Sequence, residues 1–208
     1  MASSAERDLV LLVADKNMEA AIRGLLSRPQ ALRIRPISFD LFVHPHRDPG
    51  CLLRGASFLK ALAPLYAHAL VMLDRVGCGR ERQSAEEIED HIDHELAGAG
   101  WGERGKAVVL DPELEVWVWS GSPHVDETLG WSGRVPRLRD WLVTEGLQRQ
   151  SQAKPSNPKL AMELSLREVQ RPRSSSHYER LARTVSFDRC ADPAFVRLRA
   201  VLSRWFGE

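Results

Sequence analysis

Asp74 closes an apolar run, "HALVMLD", and the glycine-rich turn "RVGCG" follows it. Two further apolar runs also end on or beside an acid. "DLVLLVA" (8–14) leads into Asp15, and "KAVVLD" (106–111) finishes on Asp111, with Glu113 and Glu115 just beyond. Carboxylates gathered at one edge of a sheet repel each other unless a cation sits among them. Hard oxygen donors of this kind suit Mg²⁺ or Mn²⁺, which bind through a few carboxylates plus water and phosphate oxygens. On this reading Asp15, Asp74, Glu113 and Glu115 are metal ligands. Asp74 and Glu115 are then the catalytic carboxylates, and the metal polarises a phosphoryl oxygen or activates water. The competing reading makes Asp15 and Asp111 helix N-caps. Asp74 has no evident capping role.

A second set of residues suits phosphate. "KPSNPK" and "RPRSSSHY" place Lys154, Lys159, Arg171 and Arg173 near three serines, His177 and Tyr178. Ammonium, guanidinium, hydroxyl and helix N-terminal amides are the groups that contact nucleic-acid backbones. The alternative is a solvated loop with an N-cap cluster. "HPHRDPGC" (44–51) reads as a surface turn rather than a transition-metal site, because no second cluster completes a ligand set. His91 and His94 lack the HExxH pattern and read as a solvated helix face. "GCG" (77–79) lacks the Walker lysine and GxGxxG spacing of a phosphate loop. The tryptophans read as core or interface aromatics.

Alternating strands and helices must position these groups. The runs at 8–14, 68–73 and 106–111 predict strands covered on both faces. "IRPISFDLFVHP" (34–45) predicts another, with Pro36 marking an edge position or a late start. Helices are expected after Asp15, over 52–66, and over 85–97, where Ser84 and Glu87 form a capping box. Such alternation implies an α/β fold with a mostly parallel sheet flanked by helices. "DPELEVWVWS" predicts a short helix capped by Asp111, a strand over "EVWVW" remaining open. Beyond it lie a helix over 135–146 and an exposed linker over 147–158. Three more helices follow, the last two capped by Ser175 or Ser176 and by Asp192. The division expected is an α/β domain over 1–133 with a helical region over 134–208 packed on it.

Composition sets the outer limits. With 208 residues, 43% hydrophobic and 27% charged, the chain has the balance of an ordinary globular protein. No apolar stretch suits a membrane span, and the beginning reads as a strand rather than a signal peptide. Three scattered cysteines argue against a disulfide framework and for a reducing, cytoplasmic setting. Residues 1–133 carry 14 Lys and Arg against 20 Asp and Glu, whereas residues 134–208 carry 15 against 8. Either an acidic site faces an anion-binding one, or the halves attract each other across their interface.

"LVADKNMEAAIRGLL" followed by "HALVMLDRVG" resembles the TOPRIM fold of topoisomerases, primases and overcoming-lysogenisation-defect nucleases. That family carries a glutamate after its first strand and an Asp-x-Asp pair after a later one. Asp74 matches the first aspartate, Val76 stands in place of the second, and Asp15 is the nearest substitute for the glutamate. "DPELEVWVWSGSPHV" and "HYERLARTVSFDRCADPAFVRLRAVL" resemble segments of a small TOPRIM-like family of bacterial proteins. From residue 8 to 206 the chain looks most like the small accessory proteins of methylation-associated phage-defence systems. The resemblance implies a cytoplasmic component of a prokaryotic anti-phage system; with the retained Asp74 and the Glu113/Glu115 pair, the leading expectation is action on nucleic acid as a divalent-metal-dependent nuclease. The alternative is a non-catalytic, degenerate TOPRIM-like adaptor for a partner protein or nucleic acid. Other proteins of a defence locus are the expected partners.

Overall fold

The computed structural model describes residues 7–188 and 190–207. Four strands, β1 (Arg7–Val13), β2 (Phe39–Val43), β3 (Tyr66–Asp74) and β4 (Gly105–Leu110), pair in parallel in the order β2-β1-β3-β4. The uninterrupted apolar runs of β1, β3 and β4 are explained by burial on both faces, since Leu9 to Val13, Ala69 to Leu73 and Ala107 to Leu110 are all buried. Helices α1 (Lys16–Leu26), α2 (Pro29–Leu32), α3 (Arg47–Leu59) and α4 (Ala85–Leu96) form the connections. Beyond β4 come α5 (Pro123–Leu129), α6 (Leu138–Thr144), α7 (Pro158–Glu168), α8 (Ser175–Thr184) and α9 (Pro193–Phe206). The fold is therefore α/β, with an all-parallel sheet flanked by helices, and one apolar core runs through the sheet and the C-terminal helices. Among the described residues no helix is long and apolar enough to cross a membrane.

Caps place several boundaries where the sequence predicts them. Asp15 accepts from the amides of Asn17 and Met18 to start α1, and Ser84 with Glu87 forms the capping box of α4. Asp192 caps α9 through the Phe195 amide. β2 starts late, at Phe39, and lies at the edge of the sheet, as Pro36 implies. Three local expectations are corrected. "HPHRDPGC" is not a surface turn: Arg47 to Cys51 are the first turns of α3, where proline is tolerated because early amides have no partner within the helix. Asp111 caps nothing; it pairs with Arg75 at 2.8 Å, and "LEVW" (Leu114–Trp117) forms a 3₁₀ turn, neither the expected helix nor a strand. The cap of α8 is Ser174, rather than Ser175 or Ser176.

The C-terminal helices close on the sheet through close backbone approach. α8 lies along α1, and a β-carbon at Gly24 would sit 2.7 Å from both the Ala182 Cβ and the Glu179 carbonyl oxygen. α9 reaches β4, where the Arg197 Nε donates to the Ala107 carbonyl at 2.8 Å. The negative charge of α4 is partly structural. Glu89 accepts from the Val109 amide at 2.9 Å, and Asp93 from the Ala107 amide at 2.6 Å.

Glu89 gives this packing a pH signature. Burial pushes its carboxyl from 4.5 up to about 7, against the downward pull of the Val109 amide and Arg197. Between those values the folded chain holds a proton that the unfolded chain has released, so stability falls as pH rises through that interval. Glu89→Gln should flatten this part of the pH profile of urea unfolding, by up to about 3 kcal/mol. An unchanged slope between about pH 4.5 and pH 7 would contradict the assignment.

Candidate functional site

The carboxyl ends of the strands bring acids together as the sequence predicts, with one addition and one loss. Asp15 follows β1, Asp74 ends β3, and Glu113 and Glu115 lie just past β4. Asp48, on the first turn of α3 after β2, joins them, whereas Asp111 is turned away toward Arg75. The cluster is tied together through the backbone. Asp48 Oδ1 accepts from the Asp74 amide at 2.8 Å, and Asp74 Oδ1 accepts from the Leu114 amide at 2.9 Å. Asp74 thus bridges the end of β3 to the segment that carries Glu113 and Glu115.

Burial pushes the Asp74 carboxyl well above the ordinary aspartate range, and the charges of Asp48, Glu115, Asp15 and Glu113 push it the same way. Burial also raises Asp48, with the Asp15 charge adding to it. Glu113 is raised by burial and by Glu115, against the pull of Lys159. Asp74 pairs with neither Arg75 nor Arg104: Arg75 is taken by Asp111, and Arg104 donates to the carbonyls of Tyr66, Ala67 and Gly100.

Cations of the C-terminal half supply the compensation. Glu115 is 2% exposed and accepts from the Tyr178 hydroxyl at 2.5 Å and from the Arg173 guanidinium. Arg173 also donates to the Tyr178 oxygen at 2.9 Å and to Glu163 at 3.2 Å. Lys159 lies 3.4 Å from Glu113. Two of the four residues expected at phosphate, Lys159 and Arg173, are therefore engaged with the acidic strand ends. The other two lie elsewhere. Lys154 is 3.6 Å from Asp192, and the Arg171 side chain packs over Gly130.

These contacts decide how the donor set fits a metal ion. Among the described residues, no group of three or more His, Cys, Asp or Glu side chains is arranged to hold one. Part of the donor set is already engaged: Asp15 Oδ1 accepts from the first amides of α1, Glu115 Oε1 from Arg173 and Tyr178, and Glu113 Oε2 lies against Lys159. As placed, these groups are not arranged as a ready Mg²⁺ or Mn²⁺ site. The amides of the turn after Asp74 are likewise engaged. Gly77 and Gly79 have φ near +90°, which favours glycine, and both amides donate to the Glu81 carboxylate, at 3.0 and 3.1 Å.

Beside the cluster lies an apolar cavity of about 590 Å³, within the usual range for ligand sites. Trp117, Tyr178, Phe187 and Phe195 line it, with Ala153 and Ala191 on its exposed rim. The Trp117 ring is fixed by donation from Nε1 to Asp192 at 2.9 Å. Tyr178 joins the two features, because its ring lines the cavity and its hydroxyl binds Glu115.

The sequence reading missed Asp48 and Tyr178 as members of this site. Asp48 was legible in principle, as the acid following the remaining apolar run. Tyr178 carried no local signal, because its partner lies 63 residues away. No protein-family model matches the chain, and no curated protein or solved structure is significantly similar to it.

Proposed function

We propose that this chain is a non-catalytic, TOPRIM-like adaptor of a prokaryotic anti-phage system that binds a partner protein of a nucleic-acid-acting assembly. The defence setting rests on the resemblance of "DPELEVWVWSGSPHV" and of the C-terminal helices described above. One observation carries the adaptor reading: Arg173, Tyr178 and Lys159 of this same chain occupy Glu115 and Glu113, the carboxylates that a metal would need. Val76, where the family has a second aspartate, is exposed and offers no oxygen donor. The aromatic cavity supplies the binding surface in this account, because an apolar side chain inserted into a concave pocket is the usual energetic anchor of an interface.

A Mg²⁺- or Mn²⁺-dependent nuclease is the second reading. The mutual approach of Asp15, Asp48 and Asp74 favours it.

Filling the cavity tests the adaptor reading. Ala153→Trp and Ala191→Trp place bulk at the exposed rim of the cavity. Each variant should remain folded, stop co-purifying with the proteins encoded beside it and lose phage protection. Full protection by a folded double variant would remove the cavity from the mechanism.

A further inference from the structure

The inner walls of the apolar cavity are core side chains. Leu25 of α1, Leu114 and Val118 beyond β4, and Leu181 of α8 all line it, and all are buried. A concavity of about 590 Å³ with such walls has the size and lining of a small-molecule site, which encloses most of its ligand's surface.

Its charge is confined to one place. Among the described residues that line the cavity, only Lys154 and Asp192 are charged, and they are next in sequence to the exposed rim residues Ala153 and Ala191. Asp192 is already engaged: its Oδ1 accepts from Trp117 Nε1 at 2.9 Å and from the Phe195 amide at 3.3 Å. Lys154 is not. Its ammonium lies 3.6 Å from Asp192 Oδ2, too far for a hydrogen bond, and it makes none among the described residues. A second cation stands nearby. Arg199 is half-buried, one turn along α9 from the cavity-lining Phe195, and its charge and that of Lys154 both act on the Cys190 thiol. Unlike Arg197, which is held by Glu89 and Asp93, Arg199 has no acidic partner among the described residues. Two cations therefore face one engaged acid at the mouth of an apolar chamber.

We propose that the cavity binds a small amphiphilic anion, its apolar body seated among Trp117, Tyr178, Phe187 and Phe195 and its single carboxylate or similar head held by Lys154 and Arg199. Burial of the body supplies the affinity, and the head fixes the orientation. A filled cavity has no room for a partner's side chain, so the ligand releases the partner. That consequence rests on the adaptor reading, whereas the binding itself does not.

Calorimetric titration of the full chain with octanoate, decanoate and 1-octanol tests the binding. Both carboxylates should bind one to one, with affinity rising about three- to fourfold per added CH₂, and octanoate should bind more tightly than 1-octanol. Lys154→Met and Arg199→Met should each weaken octanoate at least about tenfold and leave 1-octanol unchanged. The double variant Ala153→Trp, Ala191→Trp should bind none of the three. Absence of heat from either carboxylate would overturn the proposal, as would binding retained by the folded double tryptophan variant. Octanoate affinity unchanged in both methionine variants would overturn the assignment of the head. Decanoate that binds without displacing a co-purified partner would keep the ligand site and remove the partner from the cavity. A partner lost from the tryptophan variants, with no carboxylate bound by the parent, would assign the cavity to a partner's side chain instead.

Discussion

Arg173→Met should destabilise the protein by about 3–5 kcal/mol, because it leaves the buried carboxylate of Glu115 without its cation. Glu115 is 2% exposed, so water cannot replace the guanidinium. Typical domains are stable by only about 5–15 kcal/mol, so this one change takes a large share of the total. The double variant Arg173→Met, Glu115→Gln removes the charge together with its partner and should recover most of the loss. Tyr178→Phe removes the donation to Glu115 together with the acceptance from the Arg173 Nε, and should cost at least about 1.5–3 kcal/mol. Urea unfolding of the four proteins at neutral pH reads all of this. A loss below about 1 kcal/mol for Arg173→Met would place the contact among exposed ion pairs, and the compensation argued for the acidic cluster would fail.

How much of this was legible depends on how local the cause is. β1, β3 and β4 could be read from their apolar runs, and the α1 and α4 starts from Asp15, Ser84 and Glu87, because strands covered on both faces and capped helices are written in adjacent residues. The turn after β4 could not. "EVWVW" has strand composition, but Asp74 holds the Leu114 amide and Asp192 holds the Trp117 ring, so tertiary contacts fix it as a 3₁₀ turn. The gathering of Asp15, Asp74, Glu113 and Glu115 was expected from their places at the carboxyl ends of parallel strands. What neutralises them did not, since Arg173 reaches Glu115 across 58 residues of chain and Lys159 reaches Glu113 across 46. The charge asymmetry between the halves was the visible trace of those pairs. Its reading as mutual attraction fits Arg173 and Lys159, whereas Lys154 and Arg171 remain outside the cluster.

Asp74→Asn should be tolerated in every respect. Burial and four neighbouring acids raise the Asp74 carboxyl far above its unfolded value, so as pH rises from the ordinary aspartate range its ionisation costs stability. An asparagine oxygen still accepts the Leu114 amide and cannot ionise, so the variant should gain stability relative to the parent as pH rises. On the adaptor function proposed above, the strand-end acids form a structural latch rather than a catalytic metal centre. Under the proposed defence function, the most direct test is the efficiency of plating of phage on cells carrying this chain and the genes beside it, with Asp74→Asn introduced. The account predicts protection at the parental level; abolished protection by a folded, normally expressed Asp74→Asn protein would contradict it.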